Sequence, residues 1–319
     1  MGKLNWKILT FLLSILILVL LVLYANPAKF LGLISRSNYS FLLIAFCIST
    51  VNVLLRVLKW KILLDNISFS KVLPVQLVGI TISNFTPGKI AEPFKAVILK
   101  LREGRSVSSV LPSVIWERIL DIIVLVILAI FGAYSFLMLD SRFFLISAAV
   151  ILVFLALLAA ALLVLYKRTF GRWVFRALKR LPLVNRVSEN FIQTFQESNV
   201  KKSRIFCSFI ITATAWVLEG FILYYAFLSI GIELPPLMLA SIFALATLIG
   251  VASALPGGIG STDVVMAIFL SYFGIETSLA VAGVLLARFL AIWYVNLLGG
   301  LSLVYLMKKL RISYKSILG

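Results

Sequence analysis

Histidine is absent from the 319-residue chain. That excludes imidazole acid–base catalysis, Ser-His nucleophiles and any metal site built on histidine. The two cysteines, Cys47 and Cys207, sit in apolar runs. They are too few for a structural zinc site and read as small membrane-core residues. Charge is scarce as well: Asp, Glu, Lys and Arg make up 13% of the chain, against about 25% in soluble proteins. No G-x-x-x-x-G-K-[ST] element occurs, so no nucleotide-binding P-loop is expected.

What fills the space is apolar. Hydrophobic residues account for 62% of the chain and the mean hydropathy is +1.11, which makes this an integral membrane protein. A net charge of +18 would suit nucleic acid, but its distribution argues for membrane topology instead. Apolar runs mark six full spans, at about 8–24, 39–64, 110–139, 143–166, 205–231 and 279–307. The run Ile8–Leu23 follows a basic start, as in a signal peptide. No small-x-small cleavage site follows it, so it reads as a retained first span.

Two regions break the pattern. Residues 72–101 hold two short runs around Pro87-Gly88, and residues 236–273 hold two around Pro256-Gly257-Gly258. Their outgoing legs are shorter than the roughly 20 residues a spanning helix needs. Proline disfavours helix in the residue before it and lacks an N–H, and glycine permits a tight reversal. Each pair is therefore predicted to be a re-entrant helical hairpin; the alternative is two ordinary spans kinked at Pro-Gly. With both termini cytoplasmic, 22 of the 30 basic residues fall inside and three outside. Lys59, Lys61 and Lys71 are counted in one inner segment. The positive-inside bias sets this orientation. The first hairpin then enters from the cytoplasm and the second from outside.

The two breaks repeat. Arg118 in "WERILD" follows Pro87 by 31 residues, and Arg288 in "LARFLA" follows Pro256 by 32. An inverted repeat over residues 39–139 and 205–307 is expected, joined by a cytoplasmic amphipathic linker at 167–204. Broken helices at corresponding positions point to a site at membrane depth. The candidate residues are Asn84, Pro87, Gly88, Lys89, Glu92, Lys95, Glu117, Arg118, Asp121, Pro256, Gly257, Gly258, Ser261, Asp263 and Arg288. A lone charge at the bilayer centre costs at least about 2.5–3.5 kcal/mol, so these must face an interior. Glu117 and Asp121 share a helix face, and Arg118 can pair with Asp121. Arg56 and Arg288 can answer the remaining carboxylates. A purely structural ion-pair network is the alternative role for Glu117, Arg118 and Asp121.

The stretches "FTPGKIAEPFKAVILK", "WERILD", "PGGIGSTD" and "VLLARFLAIW" resemble the transmembrane domain of lysylphosphatidylglycerol synthases and their stand-alone, flippase-like relatives. The family's Pro-Gly-(Arg/Lys)-x-Gly-Glu pattern falls on Pro87, Gly88, Lys89, Ala91 and Glu92, with alanine in place of glycine at 91. Its later basic position falls on Lys95, its Glu-Arg-x-x-Asp on Glu117, Arg118 and Asp121, and its late arginine on Arg288. In the second half its Pro-Gly-Gly with a following glutamate falls on Pro256, Gly257, Gly258 and Asp263, one methylene shorter.

The resemblance implies an all-α inverted-repeat bundle that moves an anionic or aminoacylated phospholipid, or a lipid-linked head group, between leaflets. No cofactor, metal or catalytic residue is expected. The chain ends at Gly319, shortly after the last span, so the soluble transfer domain and synthase activity are not expected. Two rival readings are a non-catalytic partner that holds a lipid carrier for a separate glycosyltransferase or synthase, and an intramembrane lipid-phosphate enzyme. Membrane phospholipid is the expected partner and nucleic acid is not; a homo-oligomer and a separately encoded lipid-modifying enzyme stay open.

Overall fold

The computed structural model describes residues 6–24, 27–86, 91–137, 141–166, 195, 200–253 and 255–310. Among these the regular structure is helical: α1 (Trp6–Tyr24), α2 (Pro27–Arg36), α3 (Tyr39–Leu64), α4 (Phe69–Asn84), α5 (Phe94–Glu103), α6 (Val107–Leu137), α7 (Ser141–Tyr166), α8 (Lys202–Ser229), α9 (Pro236–Ala252), α10 (Ser261–Tyr272), α11 (Thr277–Arg288) and α12 (Tyr294–Leu310). A π-helical turn, Phe289–Trp293, joins α11 to α12, and the Ser49 hydroxyl donates to its Leu290 carbonyl at 2.9 Å. The amphipathic linker expected at 167–204 lies outside the described residues, apart from 195 and 200–204.

Four stretches are long and apolar enough to cross a membrane: Tyr39–Leu64, Phe143–Leu165, Lys202–Ser229 and Thr277–Leu310. They coincide with four of the six predicted spans. The other two runs are also helical, as α1 and the 31-residue α6. The sequence reading had not foreseen α2, whose last turn carries Arg36, a charge suited to a helix C-terminus.

The two interrupted regions are built from short helices. α4 has 16 residues, α5 has 10, α9 has 17 and α10 has 12, all below the length of a full span. Residues 87–90 lie outside the described residues. The second interruption is described from Leu255 onward. Its Gly257 has φ +60°, and a Cβ there would sit 2.6 Å from the Asn84 carbonyl oxygen. Glycine is required on both counts. The end of α4 and the Pro256–Gly260 turn therefore touch backbone to backbone.

Packing follows a pattern. α3 lies along α8, tied at one end by the Asn38 N–H donating to the Ser229 carbonyl at 2.8 Å. α4 packs on α12, and α9 packs on α6. α4 and α9 each also cover their own partner, α5 and α10. Phe227, Leu245, Leu248, Met266 and Leu270 centre the larger core; Val57, Trp60, Val72, Val75 and Leu99 centre a second one between α3, α4 and α5. Alanines at 45, 240, 246 and 280 are fully buried, as expected where helices associate by close packing in lipid. Phe131, Leu152, Leu297 and Leu301 point outward and are exposed. Such an apolar exterior suits hydrocarbon rather than water.

Candidate functional site

Most of the predicted charges are gathered between α3, α5 and α6. Lys59, Glu92, Lys95, Glu117, Arg118 and Asp121 close a six-membered ring of alternating sign. Lys95 contacts Glu117. Glu117 Oε1 lies 3.4 Å from Lys59 Nζ, and Lys59 Nζ donates to Asp121 Oδ1 at 2.8 Å. Asp121 Oδ2 meets Arg118 Nη2 at 2.8 Å, and Arg118 Nε meets Glu92 Oε2 at 2.6 Å. Glu92 Oε1, 3.3 Å from Lys95 Nζ, closes the circuit. Each charge has two opposite neighbours, and the ring is neutral as a whole. That is the condition under which buried charges are tolerable.

Supporting groups complete the ring. Gln76 donates from Nε2 to Glu117 Oε1 at 2.9 Å and accepts from Lys95 Nζ at 3.1 Å. Trp216 Nε1 donates to Asp121 Oδ1 at 3.2 Å. The Lys95 ammonium lies 4.4 Å from the Trp60 ring centroid, within cation–π range. Gly79 lets Lys95 run flush against α4: a Cβ there would come within 3.1 Å of Lys95 Cβ.

Beside the ring is a cavity of about 80 Å³, room for several waters or a small polar group. It lies where the end of α4 meets the Pro256–Gly260 turn. Asn84, Glu92, Arg118, Gly257, Gly258 and Arg288 of the predicted set line it. Lys95, Glu117 and Asp121 do not; they are buried behind Arg118. Asp263 backs Arg288, whose Nε it holds at 2.6 Å. It also accepts the Gly260 N–H at 2.9 Å, capping α10 as an acidic residue in a first turn should. Pro256 and Ser261 belong to the turn itself: the Pro256 carbonyl accepts from Ile259 N–H, and the Ser261 hydroxyl is 2.9 Å from that of Ser253. Pro87, Gly88 and Lys89 lie outside the described residues. Among the described residues no group of His, Cys, Asp or Glu is arranged to hold a metal ion.

Three arginines from three helices thus share one cavity: Arg56 on α3, Arg118 on α6 and Arg288 on α11. Each is tied to a carboxylate. Arg56 Nη2 donates to Glu219 Oε1 at 2.8 Å, and that oxygen also accepts from Asn52 Nδ2 at 2.9 Å. Arg56 stacks over Trp216 at 5.1 Å. A guanidinium has five N–H donors, so these pairings leave donors to spare. Clustered arginines with spare donors are suited to phosphate oxygens. The glutamate that follows the first Pro-Gly break and the aspartate that follows the second each receive the Nε of the late arginine of their own half, both at 2.6 Å.

The structure corrects one placement and adds residues. Lys59, counted from sequence with a cytoplasmic segment, is 2% exposed and a member of the ring. Asn52, Arg56 and Lys59 are spaced by four and then three residues, so they form one polar stripe on α3; that spacing was the signal. Arg56 and Glu219 were recognised as charges at depth but not as site residues. Asn52, Gln76, Trp216 and Thr247 carry no mark in the sequence that separates them from ordinary membrane-helix residues.

Comparison with known proteins agrees with this layout. The chain is 27% identical to a UPF0104 membrane protein of Pyrococcus horikoshii, covering 96% of this chain and 99% of the relative. It is 29% identical to a UPF0104 membrane protein of Methanothermobacter thermautotrophicus, over 92% and 93% of the two chains. A shorter likeness, 31% identity over 85 residues, links 27% of the chain to 10% of the phosphatidylglycerol lysyltransferase of Staphylococcus xylosus. The family described as the lysylphosphatidylglycerol synthase TM region matches residues 9–299. This multi-pass helical membrane protein therefore belongs to the lysylphosphatidylglycerol synthase transmembrane-region family.

Proposed function

We propose that the protein is a flippase-like transporter that moves an anionic or aminoacylated phospholipid, or a lipid-linked head group, between leaflets, without a covalent step. The observation that carries this is the cavity with Arg56, Arg118 and Arg288 on its wall, at the contact between Asn84 and Gly257. A lipid phosphate would sit against the guanidiniums while its tails stay in the surrounding hydrocarbon. The carboxylates that hold the arginines neutralise the site when it is empty and give way as the head group arrives.

In this reading α4–α5 and α9–α10 are re-entrant hairpins of an inverted repeat, over residues 39–139 and 205–307. Helix packing supports it. A two-fold exchange of halves matches α3 with α8, α4 with α9, and α6 with α11–α12. It maps the α3–α8 contact onto itself and exchanges α4–α12 with α9–α6. The Arg118–Glu92 and Arg288–Asp263 pairs exchange in the same way. With both termini cytoplasmic, the two hairpins enter from opposite sides, as alternating access about a fixed site requires.

The test is exchange of fluorescent phospholipids across the bilayer of protein-containing vesicles, read by chemical quenching of the outer leaflet. Faster exchange than in empty vesicles, reduced by Arg288→Ala, is the expected result. Exchange rates equal to those of protein-free vesicles across a panel of head groups would refute transport.

A further inference from the structure

The cavity wall holds polar groups that the arginine pairings do not use. Asn52 donates through Nδ2 to Glu219, yet its Oδ1 is buried and accepts from no donor among the described residues. Thr247 Oγ1 is buried without a partner, and so is Arg288 Nη2. The three residues come from α3, α9 and α11, are 3%, 8% and 8% exposed, and line this one cavity. A buried acceptor left unmatched costs about 1–3 kcal/mol, so three such groups around one space describe the occupant's complement. The carbonyl oxygen of Asn52 asks for a donor, Arg288 Nη2 asks for an acceptor, and the Thr247 hydroxyl can answer either.

The charge on the wall narrows the occupant further. Among the described residues, three guanidiniums and two carboxylates, Glu92 and Glu219, face the cavity, leaving one net positive charge. A monoanionic phosphodiester balances it. A phosphate monoester or pyrophosphate brings excess negative charge against Glu92 and Glu219, which the site opposes.

We infer that the cavity selects head groups that combine a single phosphodiester with a hydroxyl or ammonium donor, and that Asn52 and Thr247 read the donor. The inference rests on the reading of the cavity as a lipid site. It makes phosphatidylglycerol and phosphatidylethanolamine ligands, and disfavours phosphatidylcholine, which has no donor, and phosphatidic acid, which is a monoester. Glu219 strengthens the preference by holding Asn52 with its carbonyl end free.

The test is competition among these four lipids, with matched acyl chains, for the purified full-length protein in detergent micelles, read by native mass spectrometry. At pH 8 the monoester is mostly doubly charged, its second pKa being about 6. Phosphatidylglycerol and phosphatidylethanolamine are expected to outcompete the other two by about tenfold, the worth of one or two hydrogen bonds. Thr247→Val keeps the shape and removes the hydroxyl; it should cut the preference over phosphatidylcholine about fivefold. Asn52→Leu should cut it further. Melting temperature identifies a variant that fails to fold, and Thr247→Val, the least disruptive change, then decides alone. Equal binding of all four lipids by the wild type, or a Thr247→Val protein with undiminished preference, would overturn the inference. Selective binding without transbilayer exchange would sink the transport reading while leaving this one standing.

Discussion

Replacing Lys59 by methionine removes one cation from the closed ring while keeping the length of the side chain. Its ammonium makes two contacts, 2.8 Å to Asp121 and 3.4 Å to Glu117. At an effective dielectric of about 20 these are worth about 6 and about 5 kcal/mol in gross Coulomb energy. The net loss is smaller, because the cost of burying Lys59 itself is also removed. Breaking a buried pair by deleting one partner usually costs about 3–5 kcal/mol, and the same loss is expected here. The ring would be left with three carboxylates against two cations, no longer neutral. Adding Asp121→Asn to Lys59→Met restores the balance and should recover about half of the loss, whereas Asp121→Asn alone should destabilise. Reversible unfolding in mixed micelles, with all four proteins compared in a double-mutant cycle, gives the numbers. A Lys59→Met protein within about 0.5 kcal/mol of wild type, or a double variant no more stable than the single, would refute the ring as a cooperative unit.

Other outcomes follow from individual contacts. Gly257→Ala places a methyl against the Asn84 carbonyl and forces φ +60° on a residue with a Cβ; it should cost about 1–3 kcal/mol and slow lipid exchange, checked by melting temperature and the vesicle assay together. Arg56→Ala strips Glu219 of its counter-charge and opens one wall of the cavity; transport should fall tenfold or more while the ring-dependent stability, read by the same unfolding cycle, stays. At the end of α3, the Asp65 carboxyl is held below its ordinary value of 3.8, first by the hydrogen bond from Arg204, an ion pair of 2.6 Å. The lowered value means that this clasp is intact above the ordinary carboxylate range and opens as pH falls through the folded-state pKa. A fluorescence probe reporting the Asp65–Arg204 distance should show that acid transition, and Asp65→Asn should abolish it. In a Cys47→Ala, Cys207→Ala background, single cysteines at 101–108 and at 274–278 should be labelled from opposite sides of the membrane; labelling from one side would remove the inverted repeat.

Much of the site was legible because charge in an apolar chain is conspicuous. The pairing of Arg118 with Asp121 follows from helical spacing, and Arg56 and Arg288 do answer carboxylates on other helices, Glu219 and Asp263. The alternative role of a structural network also has substance: Lys95, Glu117 and Asp121 hold the ring and leave the cavity to Arg118 and Glu92. Lys59 was missed because it stands two residues from Lys61 near a helix end, where proximity to the boundary outweighed the stripe it makes with Asn52 and Arg56. Asn52, Thr247 and Trp216 were illegible for a different reason. Their roles come from contacts across helices far apart in sequence, and no local pattern encodes those. The spans along α3, α7 and α8 were read from length and hydropathy alone, which suffices where lipid is the only neighbour.

The π turn between α11 and α12 has a consequence for phase. Arg288 and Asn296 are eight residues apart, and on an uninterrupted α-helix they would point about 80° away from one another. A π turn takes up one extra residue, which winds back about 100° and brings the two within about 20° of a common line. Arg288 therefore meets the cavity while Asn296 accepts the amide of Asn84 at 3.0 Å, fastening the end of α4. Deleting one residue from 289–293 would straighten the winding and swing Asn296 off that line. The wide turn acts as a built-in phase corrector, so that one continuous rod presents two polar groups to the same interior.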